Sequence, residues 1–184
     1  VTYRKIIEEQ HIHDATHDNL TGLPNRTLFL DILDKALARK KRDNEFNFAV
    51  IFFDLDNFKN INDTYGHSVG NKYLKALAVL FDQFSRKVDT IARFGGDEFA
   101  ILIESFQDNV GVYSFCDRMM SILKSTIPIE NINITSTASM GIVHGDLRYT
   151  DPEEIIRDAD FAMYKAKEKG GNNFEVFDEK LTNQ

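Results

Sequence analysis

One run constrains this chain more than any other: FAVIFF, Phe48 to Phe53, an unbroken apolar stretch that ends on Asp54 and Asp56. A strand apolar on both alternating faces must be covered on both, so the run predicts a central strand with helices above and below, delivering Asp54 to an edge of the core. A second stretch, ARFGGDEFAIL from Ala92 to Leu102, sets two short apolar strands on either side of Gly95 and Gly96. Adjacent glycines supply the positive φ of a tight turn, which predicts a hairpin whose second strand opens with Asp97 and Glu98 on opposite faces.

The flanking segments complete the pattern. TLFLDILDKALARKKRD has the apolar spacing of an amphipathic helix capped by Thr27, with the basic cluster Arg39 to Arg42 at its C-terminus. After the turn-rich NINDTYGHSVGNK, helices are expected from about Lys72 to Arg86, over Asn109 to Lys124, and after DPEE; a long strand region reads NITSTASMGIVHG and a last strand NFEVF. The order β, α, hairpin, α, β, α, β predicts an α/β chain of the α+β kind, with a mixed sheet packed against helices.

The 184 residues, 42% hydrophobic with 15 Phe, suit one core and one domain. The net charge of −7 argues against broad nucleic-acid binding, so no nucleic-acid partner is expected. A single cysteine, Cys116, rules out a disulfide framework and a thiolate metal cluster, and fits a reducing, cytoplasmic setting. No apolar run approaches the roughly 20 residues of a membrane span, although the domain could belong to a membrane-attached protein. The opening VTYRKIIEEQHIHDATHD reads as an exposed linker helix over 1–17, whose His11, His13 and His17 lack companions for a metal site.

If the strands that carry them pair, Asp54 and Asp97 converge at one sheet edge. Carboxylates so placed repel unless a cation neutralises them, and hard oxygen donors select Mg²⁺ or Mn²⁺, cations that commonly serve phosphate chemistry. GHSVGNK lacks the spacing of a P-loop, and there is no G-x-S-x-G elbow.

RFGGDEF together with FDLDNFKNINDTYGH, DNLTGLPNR, SMGI and ADFAMYKAKEKGGNNFEVF, in this order between Asp18 and Phe177, resembles the GGDEF domain of bacterial diguanylate cyclases. The resemblance implies a GGDEF domain over 18–178 and a tail or linker over 179–184. It also implies a fold like the palm of nucleotide cyclases and polymerases, a central five-stranded, largely antiparallel sheet flanked by helices. The implied reaction condenses two GTP into cyclic di-GMP with release of pyrophosphate, in a homodimer whose subunits each hold one GTP.

By position, Asp54, Asp97 and the Leu55 carbonyl resemble the Mg²⁺ or Mn²⁺ ligands, and Asp97, Glu98 and Asp54 the catalytic acids. Asn62 and Asn71 resemble guanine-reading positions, Lys59 and Lys167 the phosphate-facing lysines, and Gly95 and Gly96 the backbone that meets the nucleotide. Arg86 and Asp89 of RKVD resemble the R-x-x-D site where cyclic di-GMP inhibits its own synthesis; Arg can grip guanine O6 and N7 while Asp accepts its N–H groups.

Two positions depart from the commoner pattern. Asn71 stands where Asp is usual, which replaces an acceptor by an amide, and Gly171 stands where Arg would face the triphosphate. The resemblance extends to GGDEF domains placed behind a sensor and ahead of an EAL phosphodiesterase domain, some of which serve as catalytically weak GTP- or cyclic di-GMP-binding modules.

Overall fold

The computed structural model describes residues 2–180, so the expected tail at 179–184 lies outside the described residues from 181 onward. The central strand β1 (Phe48–Leu55) is buried along its whole length. It pairs antiparallel with β3 (Glu98–Glu104) on one side and with β6 (Ala138–His144) on the other. The hairpin partner β2 (Thr90–Gly95) forms one edge of the sheet, and β7 (Asn173–Val176), parallel to β6, forms the other. The order β2-β3-β1-β6-β7 makes the five-stranded, largely antiparallel sheet that the family resemblance implies.

Alternation along β1 divides the core. Phe48, Val50 and Phe52 join the layer under α2 (Arg26–Arg42) and α6 (Pro152–Glu168), with Phe29, Leu33, Leu37, Ile155 and Met163. Ala49, Ile51, Phe53 and Leu55 join the opposite layer, under α3 (Phe58–Tyr65), α4 (His67–Phe84) and α5 (Asn109–Lys124), with Ile61, Tyr73, Leu77, Phe81 and Met119. This is the physical content of an apolar run without alternation: both faces of one strand are covered. The α6 layer comes unusually close at Gly141 of β6, where an added Cβ would lie 2.0 Å from the Ala159 carbonyl oxygen.

Several local expectations change. Helix α2 starts at Arg26 and is capped by Asn25, whose side chain accepts from Leu28 N–H at 3.1 Å, so Thr27 lies inside the first turn. The stretch expected as turns, NINDTYGHSVGNK, is mostly helical; Gly66, at φ 89°, divides it into α3 and the start of α4. The region read as one strand from Asn133 to Gly145 is two, because β4 (Ile127–Ile129) and β5 (Ile132–Ile134) make a separate small hairpin before β6. Helix α6 opens on a capping box formed by Asp151 and Glu154, with Pro152 in its first turn, as DPEE predicts. The linker helix, α1 (Tyr3–Thr16), has no buried residue. Among the described residues no helix is long and apolar enough to cross a membrane.

Candidate active site

The C-terminal end of β1 and the turn of the β2–β3 hairpin meet at one edge of the sheet. Asp54 lies in register with Glu98 on β3 and with Ser139 on β6. Cross-strand partners project from the same face, so Asp54 and Glu98 both point toward α6. A register shift between Arg93 and Gly95 draws Gly95 into β2, opposite Glu98, with Gly95 at φ 138° and Gly96 at φ 50°. The turn is therefore Gly96 and Asp97, and Asp97 does not open the second strand as the sequence suggests. From the turn its carboxyl sits beside the Leu55 backbone and within electrostatic reach of Asp54.

Asp54 is 6% exposed, and its Oδ1 is buried without a hydrogen-bond partner among the described residues; Oδ2 is paired with the Lys167 ammonium from α6. Burial pushes the Asp54 carboxyl up to about 6, against the pull of Lys167, and Asp97 and Asp56 push it further. Burial also raises Asp97, and raises Glu98 with help from Asp160 and Asp97. Burial works against the Lys167 ammonium, but the surrounding Asp54, Asp97 and Asp56 carboxylates outweigh it and hold the group charged.

Asp56 is the internal control. It follows Asp54 by two residues, just past the end of β1, yet it accepts from the Thr137 and Ser139 hydroxyls and, at 2.9 Å, from Asn172 N–H. Asp56 thus anchors the loop after α6, whereas Asp54 keeps a buried acceptor with nothing to accept, a condition that costs about 1–3 kcal/mol when no ligand relieves it. A hard cation suits that uncompensated negative oxygen. Two carboxylates and the Leu55 carbonyl fit Mg²⁺ or Mn²⁺, which take few protein ligands and complete their shell with water and phosphate. Among the described residues no group of three or more His, Cys, Asp or Glu side chains is arranged to hold a metal ion by itself.

The guanine-reading candidates lie at the α3–α4 junction, in the layer opposite α6. Asn62 of α3 also has a buried, unpartnered Oδ1, and it packs on Gly70 of α4, where an added Cβ would lie 1.9 Å from that oxygen. Asn71 follows Gly70 and is exposed, as is Lys59 in the first turn of α3. The role of Gly70 is not legible in the sequence, because only the helix packing shows what its missing side chain makes room for. Gly171 also gains a structural reason: it adopts φ 74°, and a Cβ there would stand 2.8 Å from the Asp56 carboxylate. The loop that Asp56 anchors demands glycine at this position.

Arg86 and Asp89 meet as expected, but they satisfy each other. Arg86 donates to both Asp89 oxygens, at 3.2 and 3.0 Å, and to the Glu104 carbonyl, while the Asp89 side chain, 2% exposed, also accepts from Arg86 and Glu104 N–H. They line a cleft of about 220 Å³ with Phe84, Phe106, Phe115 and a second cation, Arg118, brought there from α5. A further pair spans distant parts of the sequence: Arg93 of RFGGDEF reaches Asp18 at 2.8 Å, both nearly buried, and donates to the Gly96 carbonyl at 2.9 Å. Burial works upward on Asp18, but hydrogen bonds from Thr21 and the Arg93 guanidinium hold its carboxyl below the usual value. The pair ties the DNLTGLPNR loop to the hairpin turn.

Comparison with known proteins agrees with this geometry. Residues 15–173 match the family described as "Diguanylate cyclase, GGDEF domain". The bifunctional diguanylate cyclase/cyclic di-GMP phosphodiesterase MucR of Pseudomonas aeruginosa is 38% identical over 171 residues, covering 91% of this chain and 24% of MucR. The chain therefore spans about a quarter of that relative's length. The GGDEF domain of TpbB from Pseudomonas aeruginosa superposes with a TM-score of 0.85 at 31% identity, covering 91% of this chain and 97% of that one. The coiled coil and GGDEF domain of DgcB from Caulobacter crescentus, solved in complex with c-di-GMP, gives 0.83 at 26% identity, covering 94% and 91%. With the sheet, the hairpin and the carboxylate edge in place, the chain belongs to the GGDEF-domain diguanylate cyclase family.

Proposed function

We propose that the chain is a diguanylate cyclase domain that joins two GTP into cyclic di-GMP in a two-fold dimer. The observation that carries this reading is the Asp54 edge: a buried, unpartnered carboxylate oxygen beside Asp97 and in register with Glu98. Such an edge is unstable as charge alone and suits a cation with a phosphate.

Asn62 and Asn71 hold the guanine at the α3–α4 junction. Lys59 and the N-terminus of α3, whose N-cap Asn57 makes no side-chain capping bond, face the phosphates. Asp54, Asp97 and the Leu55 carbonyl hold Mg²⁺ or Mn²⁺, which when bound supplies Lewis-acid polarisation of the α-phosphoryl oxygens. Lys167 turns from Asp54 to a phosphate oxygen once the carboxylate has another partner.

The 3′-hydroxyl of one GTP attacks the α-phosphorus of the other. A P–O bond forms to the 3′-oxygen, the bond to the β-phosphate oxygen breaks, and pyrophosphate leaves. The hydroxyl proton passes to the Asp97 and Asp54 carboxylate cluster. The same step at the second site closes the ring, so a subunit alone holds half the reaction. Arg86, Asp89 and Arg118 offer cyclic di-GMP an inhibitory cleft once the Arg86–Asp89 pair opens.

The test is incubation with GTP and Mg²⁺ or Mn²⁺ over rising protein concentration, with the product separated by chromatography. Cyclic di-GMP and pyrophosphate in a 1:2 ratio, abolished in Asp97→Ala, are expected. GTP or cyclic di-GMP binding without product at any concentration overturns the cyclase reading in favour of a regulatory GGDEF module.

A further inference from the structure

The end of α1 carries two histidines that the proposed reaction does not use. His13 lies in the last turn of the helix and His17 is its C-cap. Their rings lie parallel within 4°, with centroids 4.0 Å apart. His13 is exposed and His17 half-buried. His11, two residues before His13, falls on the other side of the helix.

The hydrogen bonds around His17 fix its ring. Nδ1 lies 3.2 Å from the His13 carbonyl, which can only accept, and 2.9 Å from the Thr16 hydroxyl. That hydroxyl gives its own hydrogen to the Ile12 carbonyl at 2.9 Å, so it too accepts from the ring. Both contacts put the proton on Nδ1 and leave the lone pair on Nε2. A ring held by a carbonyl at one nitrogen, with the other nitrogen bare, is the arrangement that supports histidine as a metal ligand. The His13 ring makes no hydrogen bond among the described residues, so either of its nitrogens can turn to an ion.

The pair does not sit on a fraying end. His17 bridges to Pro24, and Asn25 donates to the Ala15 carbonyl from its side chain and to the Thr16 carbonyl from its backbone, both at 2.9 Å. The next residue, Asp18, makes the ion pair with Arg93 that reaches the hairpin turn.

We infer that His13 and His17 chelate a transition-metal cation of the Zn²⁺ class. With metal–nitrogen bonds of about 2.1 Å, a tetrahedral ion spans about 3.4 Å between two nitrogens, near the 4.0 Å that separates the rings, so a small turn of the side chains closes on it. Neutral imidazole suits Zn²⁺, Ni²⁺ and Cu²⁺, whereas Mg²⁺ and Mn²⁺ favour oxygen donors such as Asp54 and Asp97. The two places therefore sort cations by ligand type. Among the described residues no group of three or more His, Cys, Asp or Glu side chains is arranged to hold a metal ion, and the nearby Asp14 carboxylate is engaged by Gln10 at 2.8 Å. The chain thus supplies two ligands, and water fills the other positions. An ion that bridges residues 13 and 17 only while this turn is formed also stiffens the junction between α1 and the loop that grips the hairpin.

The test uses the chain without a histidine tag, stripped with chelator and then dialysed, with Mg²⁺ in excess to occupy the Asp54 edge. Zn²⁺ is the probe, and its affinity is read by competition with a chromogenic chelator. His13→Ala and His17→Ala are expected to weaken binding by about tenfold or more, His11→Ala to leave it within about twofold, and all three to keep the melting temperature measured in chelator. Affinity within twofold in both His13→Ala and His17→Ala overturns the inference, and so does an equal loss in His11→Ala. A second measurement needs no variant: Ni²⁺ added in small amounts should broaden the ring-proton resonances of His13 and His17 first, and broadening spread evenly over the five histidines overturns the site.

Discussion

The β2–β3 hairpin treats charge in opposite ways at its two ends. At the end near Asp89, Arg86 and Asp89 satisfy each other and the neighbouring backbone, and almost no polar group is left over. At the Gly96 end, Asp97 and Glu98 stand beside an Asp54 oxygen that is buried and unpartnered. Both ends carry conspicuous acidic motifs, so residue type alone does not separate them. The difference lies in satisfaction: a carboxylate that has its donors stabilises the fold, and one held without them waits for a ligand.

The largest effect that probes this contrast is loss of chemistry. Asp97→Ala should lower cyclic di-GMP formation by about 10²–10⁴-fold or more, while urea denaturation shows a smaller change, because Asp97 lies in the hairpin turn and its carboxyl meets β1 at the Leu55 backbone. Unchanged turnover would break the comparison outright.

At the other end the cost should fall on stability. Asp89→Ala strips two backbone N–H groups of a buried acceptor and should cost about 1–3 kcal/mol in the urea-derived unfolding free energy. Initial rates of synthesis should hold while inhibition by added cyclic di-GMP weakens.

Asp54 should respond in the opposite sense. Its folded-state value of about 6 lies above the ordinary 3.8, so the folded state binds this proton more tightly than the unfolded chain. The contribution of this group therefore favours folding below the ordinary value and is lost as the pH rises through about 6. In chelator, Asp54→Asn should flatten that part of the pH dependence and leave the protein at least as stable at pH 7, as compared by urea midpoints at pH 4.5 and 7.

The smallest effect belongs to the loop that Asp56 anchors. Gly171→Ala places a Cβ at φ 74° beside the Asp56 carboxylate and should cost about 1–2 kcal/mol, read as a lowered melting temperature. A neutral Gly171→Ala would mean that the loop tolerates the arginine expected there.

Much of this was legible in the chain. The unbroken apolar run of β1 called for cover on both faces, and α2 with α6 and α3 with α4 and α5 supply it. The hairpin, the Pro152 helix start and the last strand follow local rules of turn and cap. The helix in NINDTYGHSVGNK was hidden because its polar residues favour turns in isolation; burial of Phe58, Ile61 and Val69 in the core overrides that preference. The turn position of Asp97 was hidden by the register shift at Gly95, which depends on pairing with β3. Gly70, Arg118 and the Asp18–Arg93 pair were hidden because each acts on a partner distant in sequence.

The sequence by itself determined the order of elements, the two-sided burial of β1 and the identity of the acids carried to its end, since these depend on local periodicity and residue chemistry. Only the tertiary structure decided which acids are spent and which are left open. Asp56 finds Thr137, Ser139 and Asn172, and Asp89 finds Arg86 and Glu104, whereas Asp54 Oδ1 finds no donor among the described residues. Hydrogen-bond satisfaction depends on strand register and helix packing, and those are set by contacts far apart along the chain.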